Sequence, residues 1–452
     1  MNENRNFLDA HNARAVWHPM VDPKVMEANP PVIVARGEGV RVYDTAGKPY
    51  LDLVASLWNV NIGHGRPEIK RAIVEQIDQI AYYSTFNGYS NPPSIELSVL
   101  LTEMLAQEKM AKVLFSSGGS DAIETAIKLA RQYWKLEGQA ERVKIISLKY
   151  GYHGVHLGGA SANGNPAFRR AYEPLAPGFL QVESPFLYRN PWTQDPDELA
   201  EICAGILDRE IQFQGPDTVA AFIAEPVQGA GGVIVPPAAY WPLVRKICDK
   251  YGVLLISDEV VTGFGRTGSL FGARGWGVAP DIMALAKGIN SGYIPLGATI
   301  VNERVASAWR KDHPLAAIMH GYTYSGHPLA CAAALACQQI VRDEDLTGNA
   351  ARVGAYFMER LQWLKDRHRA IGDVRGKGLM MTIECVRDRA TKEPFAPTDS
   401  FGPRLCANGL ARGLVVRWQN GKVILSPPLI FTRENVDEAI EGLDATFAAT
   451  PM

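Results

Sequence analysis

The chain has 452 residues and a formal net charge of −2, with 47% hydrophobic and 21% charged residues. That profile excludes a disordered chain, calls for more than one core, and gives no basic tract to attract nucleic acid or an anionic membrane. The six cysteines form no CxxC pair, the opening MNENRNFLDAHNARAVWHPM lacks an apolar signal core, and no apolar run nears the roughly 18 residues of a membrane span, so reduced thiols and a cytoplasmic location are expected.

In chain order, GVRVYDTAGKPYLDL predicts a hairpin turning at Ala46-Gly47. SSGGSDAIETAIKLA (116–130) is a small-residue loop running straight into a helix, with Ile123, Ile127, Ala130 and Trp134 at helical spacing. Free N–H groups at such an N-terminus, with Ser hydroxyls beside them, suit a phosphate, although simple capping would use the same residues. VKIISL (143–148), VAAFIAEP (219–226) and VLLISDE (253–259) are continuous apolar runs ending in polar residues, as strands buried on both faces of a parallel sheet would be. PAAYWPLVRKICDKYG reads as a helix closed by Gly252. Strands alternating with helices give an α/β sheet whose ligands lie outside the carboxyl ends of the strands.

Beyond residue 375 the runs GLMMTIEC, LVVRW and KVILSPP, with a helical pattern between the first two, predict a smaller α+β domain assembled from both termini. The expected division is 1–65 and 329–452 for that small domain and 66–328 for a large domain with a mainly parallel sheet flanked by helices. No repeat or low-complexity linker interrupts it.

Four features fall where the sheet predicts a ligand. Besides the 116–120 loop, Asp258 closes VLLISDE, where a carboxylate needs a cation such as a protonated pyridine nitrogen, or else caps a helix. Tyr152, between glycines in KYGYHG, either lies against a bound ring or packs in the core. Lys287 stands inside the apolar run MALAKGINSGYIPLGATIV, 29 residues past Asp258 and in the next βα unit. A lysine there is snorkelled, paired, or kept neutral for Schiff-base chemistry. Together the four make up a pyridoxal phosphate site. GFGRTG (263–268) matches GxGxxG, but glycines and a proline stand where the helix of a dinucleotide fold belongs, so a dehydrogenase is rejected. His153 and His156, or His320 and His327, come without a ligand partner, and no metal is expected.

The stretches LDLVASLWNVNIGHG, GYHG, AEPVQGAGG, DEVVTGFGRTG, LAKGI and GYTYSGHP make the chain resemble the class III (ornithine-type) aminotransferases of fold type I over nearly its whole length. The resemblance implies pyridoxal 5′-phosphate as cofactor, Lys287 as its Schiff-base residue and Asp258 on the pyridine nitrogen. It also implies Val260 on the ring face opposite Tyr152, Gly119 and Ser120 on the phosphate, Glu225 among the cofactor contacts, and Thr323 reaching the phosphate of a neighbouring subunit. Amine and oxo-acid substrates follow, and so does a homodimer with shared sites, with a tetramer as the alternative assembly.

Two departures narrow the subgroup. Val261 stands where ornithine- and GABA-type members carry Gln, and Ala230 where ornithine-type members carry a Glu masking a substrate-binding arginine. The unmasked arginine would be Arg417, a bidentate carboxylate binder that swings away for an apolar donor. LWNVN and STFNGYS are similar to the ω-amine:pyruvate group, which implies Trp58 and Phe86 as pocket walls, Phe86 from the partner. The expected reaction moves an amino group from an amine or ω-amino acid to pyruvate. The alternatives are a taurine- or β-alanine-specific pyruvate aminotransferase and a 2-oxoglutarate-linked one. A cofactor-binding regulator is disfavoured, because residues 1–35 hold no DNA-binding module.

Overall fold

The computed structural model describes residues 2–396 and 398–452; Met1 and Pro397, inside the expected domain limits, lie outside the described residues. The strands run in chain order β1 (Val34–Glu38), β2 (Arg41–Asp44), β3 (Pro49–Asp52), β4 (Met110–Ser116), β5 (Lys144–Leu148), β6 (Phe179–Val182), β7 (Val219–Ala224), β8 (Leu254–Asp258), β9 (Ile282–Leu285) and β10 (Gly297–Asn302). They continue with β11 (Ile371–Lys377), β12 (Met380–Asp388), β13 (Glu393–Pro394), β14 (Leu414–Val415), β15 (Arg417–Gln419) and β16 (Lys422–Leu425).

The central sheet has seven strands in the order β4-β10-β9-β8-β7-β5-β6. The five strands from β9 to β6 are parallel, while β10 lies antiparallel between β9 and β4. Two antiparallel steps return β4 to the common direction. The carboxyl ends of β4, β5, β7, β8 and β9 therefore open on one edge of the sheet. The chain beyond β9 departs from the expected βα unit, since it makes a short 3-10 turn at Lys287–Ile289 and returns directly as β10.

The apolar runs divide by parity. Leu254 and Ile256 of β8 join the core under the helix Gly119–Leu136, whereas Val253 and Leu255 face the core of the helices Pro196–Gln214 and Tyr240–Tyr251. This is the two-sided burial that makes a parallel strand read as unbroken hydrophobicity. Gly252 closes the last helix at φ 69°, and Gly47 turns the β2–β3 hairpin at φ 81°.

Two smaller sheets complete the fold. One has the order β1-β2-β3-β14, with Leu414 of β14 pairing in parallel with Leu51 of β3, so both ends of the sequence build it. The other runs β11-β12-β16-β15, with β13 on the side of β12. The GFGRTG stretch forms a turn rather than a helix, with Phe264 at φ 60° and Gly265 at φ 94°. Its Arg266 is fully buried and donates to the carbonyls of Leu379 and Pro427 and to Asn61 Oδ1, tying the central sheet to both ends of the chain. Among the described residues, no helix is long and apolar enough to cross a membrane.

Replacing Arg266 by Met leaves those three buried acceptors without donors. The substitution should lower stability by about 2–4 kcal/mol, read as an earlier midpoint in chemical denaturation. An unchanged midpoint would show that the guanidinium ties nothing together.

Candidate active site

β8 carries Asp258 to the open edge, where the residue is 4% exposed. A carboxylate so buried needs donors. His153 Nδ1 lies 2.8 Å from Oδ2, and the Val260 N–H donates to Oδ1 at 3.1 Å. With a carboxylate as its partner, Nδ1 carries the proton. His153 Nε2 is buried and has no partner among the described residues.

One strand over, β7 is followed by Glu225, which accepts the Tyr152 N–H at 3.1 Å and the Gly229 N–H at 2.8 Å. Burial, and then the charge of Asp258, push its carboxyl above the usual range. Tyr152, four residues past β5, sets its ring edge-to-face on Phe168 at 4.8 Å. Its phenol is raised by burial, with Asp258 and Glu225 adding to the effect.

Lys287 lies two residues past β9 and adopts φ 46°, a left-handed backbone that costs a non-glycine residue about 1–2 kcal/mol. Nζ has no hydrogen-bond or ion-pair partner among the described residues. Desolvation brings its ammonium down to about 8; Asp258 and Glu225 oppose the shift, and Arg417 and Arg266 assist it. Lys287 thus sits in the middle of two carboxylates and two guanidiniums.

β15 brings Arg417 from the smaller sheet. Its side chain makes no hydrogen bond or ion pair among the described residues, and Nη1 is buried without a partner. Burial pulls its charge down, partly offset by Tyr152. Ala230 offers it no carboxylate; the Ala230 carbonyl instead accepts Gln419 Nε2 at 2.7 Å. Trp58, at φ 67°, is buried with Val227, Val233, Met380 and Ile424, and Val261 packs against that cluster.

At the far end of the edge, the helix Gly119–Leu136 starts after Gly118 with no side-chain cap. Ser120 Oγ accepts the Val155 N–H at 3.1 Å, which leaves its O–H to donate elsewhere. There is no space for larger residues: a Cβ on Gly119 would come within 2.8 Å of Val260 Cγ1, and one on Gly154 within 2.7 Å of Ser120 Oγ.

Phe86 and Thr323 fall in a second group. Tyr82 Oη donates to the Thr323 carbonyl at 2.5 Å, and Phe86 faces Gly321. Both side chains are exposed, Phe86 at 45%. His320 and Tyr322 fasten the Thr323 segment to Thr125 and to the Asp121 carbonyl, in the first turns of the helix Gly119–Leu136.

The family model for class III aminotransferases matches residues 24–447. A solved amine transaminase from an uncultivated Pseudomonas species, in its PLP-bound form, superposes with a TM-score of 0.95 at 51% identity, covering 97% of this chain and 99% of that one. A diaminobutyrate–2-oxoglutarate transaminase of Halomonas elongata is 41% identical over 90% of this chain and 88% of its own. A putrescine–pyruvate aminotransferase of Pseudomonas aeruginosa is 38% identical over 95% of this chain and 94% of its own. The chain belongs to the class III aminotransferases, whose cofactor is pyridoxal 5′-phosphate.

The residues present fit that group. The uncapped helix and the Ser120 hydroxyl supply donors for a phosphate, and the glycines keep the cradle open. Asp258 offers a fixed carboxylate and Lys287 an unpartnered amine. Two residues in this constellation escaped the sequence reading. His153 stood in view in KYGYHG but was weighed only as half of a metal pair, and Gln419 follows Arg417 by two residues without a motif to mark it.

In cofactor-free protein the lysine carries a stability signature. Its folded value near 8 lies below the ordinary 10.5, so the unfolded chain binds the proton more readily. The penalty is full below pH 8 and fades as the pH rises towards 10.5. Lys287→Met should therefore stabilise the cofactor-free protein at pH 7 by roughly 2 kcal/mol, a shift discounted for the solvent access that the side chain keeps. Denaturation at pH 7 and pH 10 checks this: an equal gain at both would assign it to packing.

Proposed function

We propose that this class III aminotransferase takes the amino group of an amine or ω-amino acid and delivers it to pyruvate, yielding an aldehyde or ketone and alanine. The observation that carries the reading is the guanidinium of Arg417, which has no hydrogen-bond or ion-pair partner among the described residues, with Ala230 standing where the resemblance would put a masking carboxylate. Arg417 is half-buried with its Nη1 enclosed; a guanidinium taken even partly out of water without a counter-ion is costly, and a small oxo-acid carboxylate would satisfy it bidentately.

Pyridoxal 5′-phosphate, when bound, supplies a carbonyl that condenses with amines and a ring that withdraws electrons from the donor's α-carbon. In this reading Gly119 and Ser120 bind the phosphate. Asp258 holds a negative charge at the ring nitrogen, with His153 fixing the carboxylate's orientation. Lys287 Nζ, whose lowered basicity leaves a useful neutral fraction near pH 8, takes the donor's α-proton and hands it back on the other side of the transfer. Its placement two residues past β9 keeps it within reach of both positions. Tyr152 and Val260 confine the ring from opposite faces, and Glu225 braces the backbone of Tyr152. Trp58 and the neighbouring Val261 wall the donor pocket and exclude water.

Phe86 and Thr323, exposed in one chain, belong to the pocket and phosphate site of a second copy, which makes the working unit a homodimer. A cytoplasmic enzyme is consistent with the six free cysteines. The 41% identity to a 2-oxoglutarate-linked relative favours a second reading, with that acid as acceptor.

The visible spectrum of the holoenzyme separates the two. The cofactor band should fade with donor amine and return with pyruvate but not with 2-oxoglutarate; return with 2-oxoglutarate alone overturns the pyruvate reading. Lys287→Ala should abolish turnover, by a factor of about 10³ or more, while cofactor remains bound non-covalently. Arg417→Ala should reduce the pyruvate half-reaction about 10–100-fold more than that of an uncharged amine, and equal losses in stopped-flow half-reactions would remove Arg417 from the carboxylate pocket.

A further inference from the structure

We propose that Gln419 is the positioning residue that receives Arg417 when the guanidinium leaves the pocket, so that the Arg417–Gln419 pair sets the choice between carboxylate and uncharged substrates. The inference rests on the Arg417 role given above and adds the second resting place which that role requires.

Strand parity places Arg417 and Gln419 on one face of β15, with Cα atoms about 6–7 Å apart. Trp418 points the other way, against Phe401 at 5.8 Å and close over Gly402, where an added Cβ would come within 2.3 Å of the indole. That packing fixes the strand and with it the shared face.

Gln419 Nε2 donates to the Ala230 carbonyl at 2.7 Å. A carbonyl can only accept, so this bond decides which amide atom is nitrogen and which is oxygen. It leaves Oε1 pointing elsewhere as an acceptor, and among the described residues the buried Oε1 has no donor. On the same face, two residues away, Arg417 Nη1 is a buried donor with no acceptor among the described residues. The guanidinium at present faces the site, where it bears on Tyr152 and Lys287. A donor and an acceptor that are both without partners among the described residues, on one face of one strand and two residues apart, supply the two ends of a hydrogen bond that would form when the arginine rotates back along the strand.

An arginine that leaves a carboxylate pocket is held out of it more readily where an acceptor is waiting, because enclosing an unpaired charge is costly. A bond from a charged donor to a buried amide oxygen shifts such an equilibrium by about tenfold or more. Gln suits the task better than Glu would: an amide accepts the guanidinium without trapping it. The Ala230 carbonyl keeps the amide from turning its nitrogen towards the arginine. An Ala at 230 is thereby used twice, by its missing carboxylate and by its backbone oxygen.

Two substitutions in the holoenzyme give opposite signs. Gln419→Leu removes the acceptor and should shift the ratio of specificity constants, 1-phenylethylamine half-reaction over pyruvate half-reaction, about tenfold towards pyruvate. Gln419→Glu supplies a carboxylate that holds the guanidinium out of the pocket and should shift the same ratio about tenfold or more towards the amine. Calorimetric affinity for propionate, an unreactive carboxylate, should be kept or tightened in Gln419→Leu and weakened in Gln419→Glu. In an Arg417→Ala background the Gln419→Leu shift should vanish.

Ratios that move the same way in both variants, or a shift that persists without Arg417, would reduce Gln419 to a structural tie for the Ala230 loop and overturn the proposal. The underlying reading fails differently. If the wild-type band does not return with pyruvate, or Arg417→Ala affects both half-reactions equally, the arginine has no switching role to assist.

Discussion

The site depends on charges of both signs buried together at the open edge of one sheet. Asp258 and Glu225 stand at the ends of adjacent strands, and Lys287 stands past the next strand but without an ion-pair partner. Had the lysine been paired with either carboxylate, its amine would be a stable ammonium and chemically idle. The two carboxylates are engaged elsewhere instead: Asp258 by His153 and a backbone N–H, Glu225 by two backbone N–H groups. Desolvation then outweighs their attraction for the lysine, and the lysine titrates near 8. The hydrogen bonds that hold the acids are what leave the base free.

The same logic separates rigid from movable parts. Asp258 and Glu225 are locked to the central sheet by short backbone segments and buried polar bonds. Arg417 comes from a different sheet, where its backbone pairs with Ile424, and its side chain has no hydrogen-bond or ion-pair partner among the described residues. The bridge between the two regions is the 228–234 loop, whose carbonyls are taken by Gln419 at Ala230 and by Arg375 at Gly232 and Val233. Arg375 is in turn held by Asp373 and Glu384. The loop is therefore fixed from the smaller sheet, while the Arg417 side chain has no hydrogen bond or ion pair among the described residues to break before moving. In the proposed reading the acids are fixed and the carboxylate binder is left free.

Much of this was legible in the sequence because two-sided burial leaves unbroken apolar runs. VAAFIAEP and VLLISDE mark β7 and β8, and their polar ends mark Glu225 and Asp258. The helix N-terminus was legible for a different reason: a small-residue loop runs straight into Ile123, Ile127, Ala130 and Trp134 at helical spacing. What stayed hidden depends on partners far away in the chain. His153 meets Asp258 across 105 positions and Gln419 meets Ala230 across 189, and no local pattern encodes either pair. The antiparallel β10 was missed as well. GYIPLGATIV is as apolar as a parallel strand, and the absence of a crossover helix after Lys287 is a question of what the chain omits. GFGRTG imitated a cofactor loop because a tight turn and a phosphate loop both need glycine; its real task, carrying Arg266 into the interior, depends on acceptors from Asn61, Leu379 and Pro427.

One exposed segment gains a task in the proposed homodimer. Thr323 and Phe86 are exposed, yet their backbone is anchored with care: Tyr82 binds the Thr323 carbonyl, and Thr85 Oγ1 binds that of Ser325. Tyr322 and His320 then pin the segment to the helix that begins the phosphate cradle. A loop with no task would not be tied at four points while its aromatic and hydroxyl side chains are left in solvent. Such a segment is presented, like an edge waiting for its partner. Because it is pinned to the helix Gly119–Leu136 of its own chain, in the proposed homodimer a second copy docking on it would register the two proposed phosphate sites against each other, and assembly and cofactor binding would stabilise one another through that single helix.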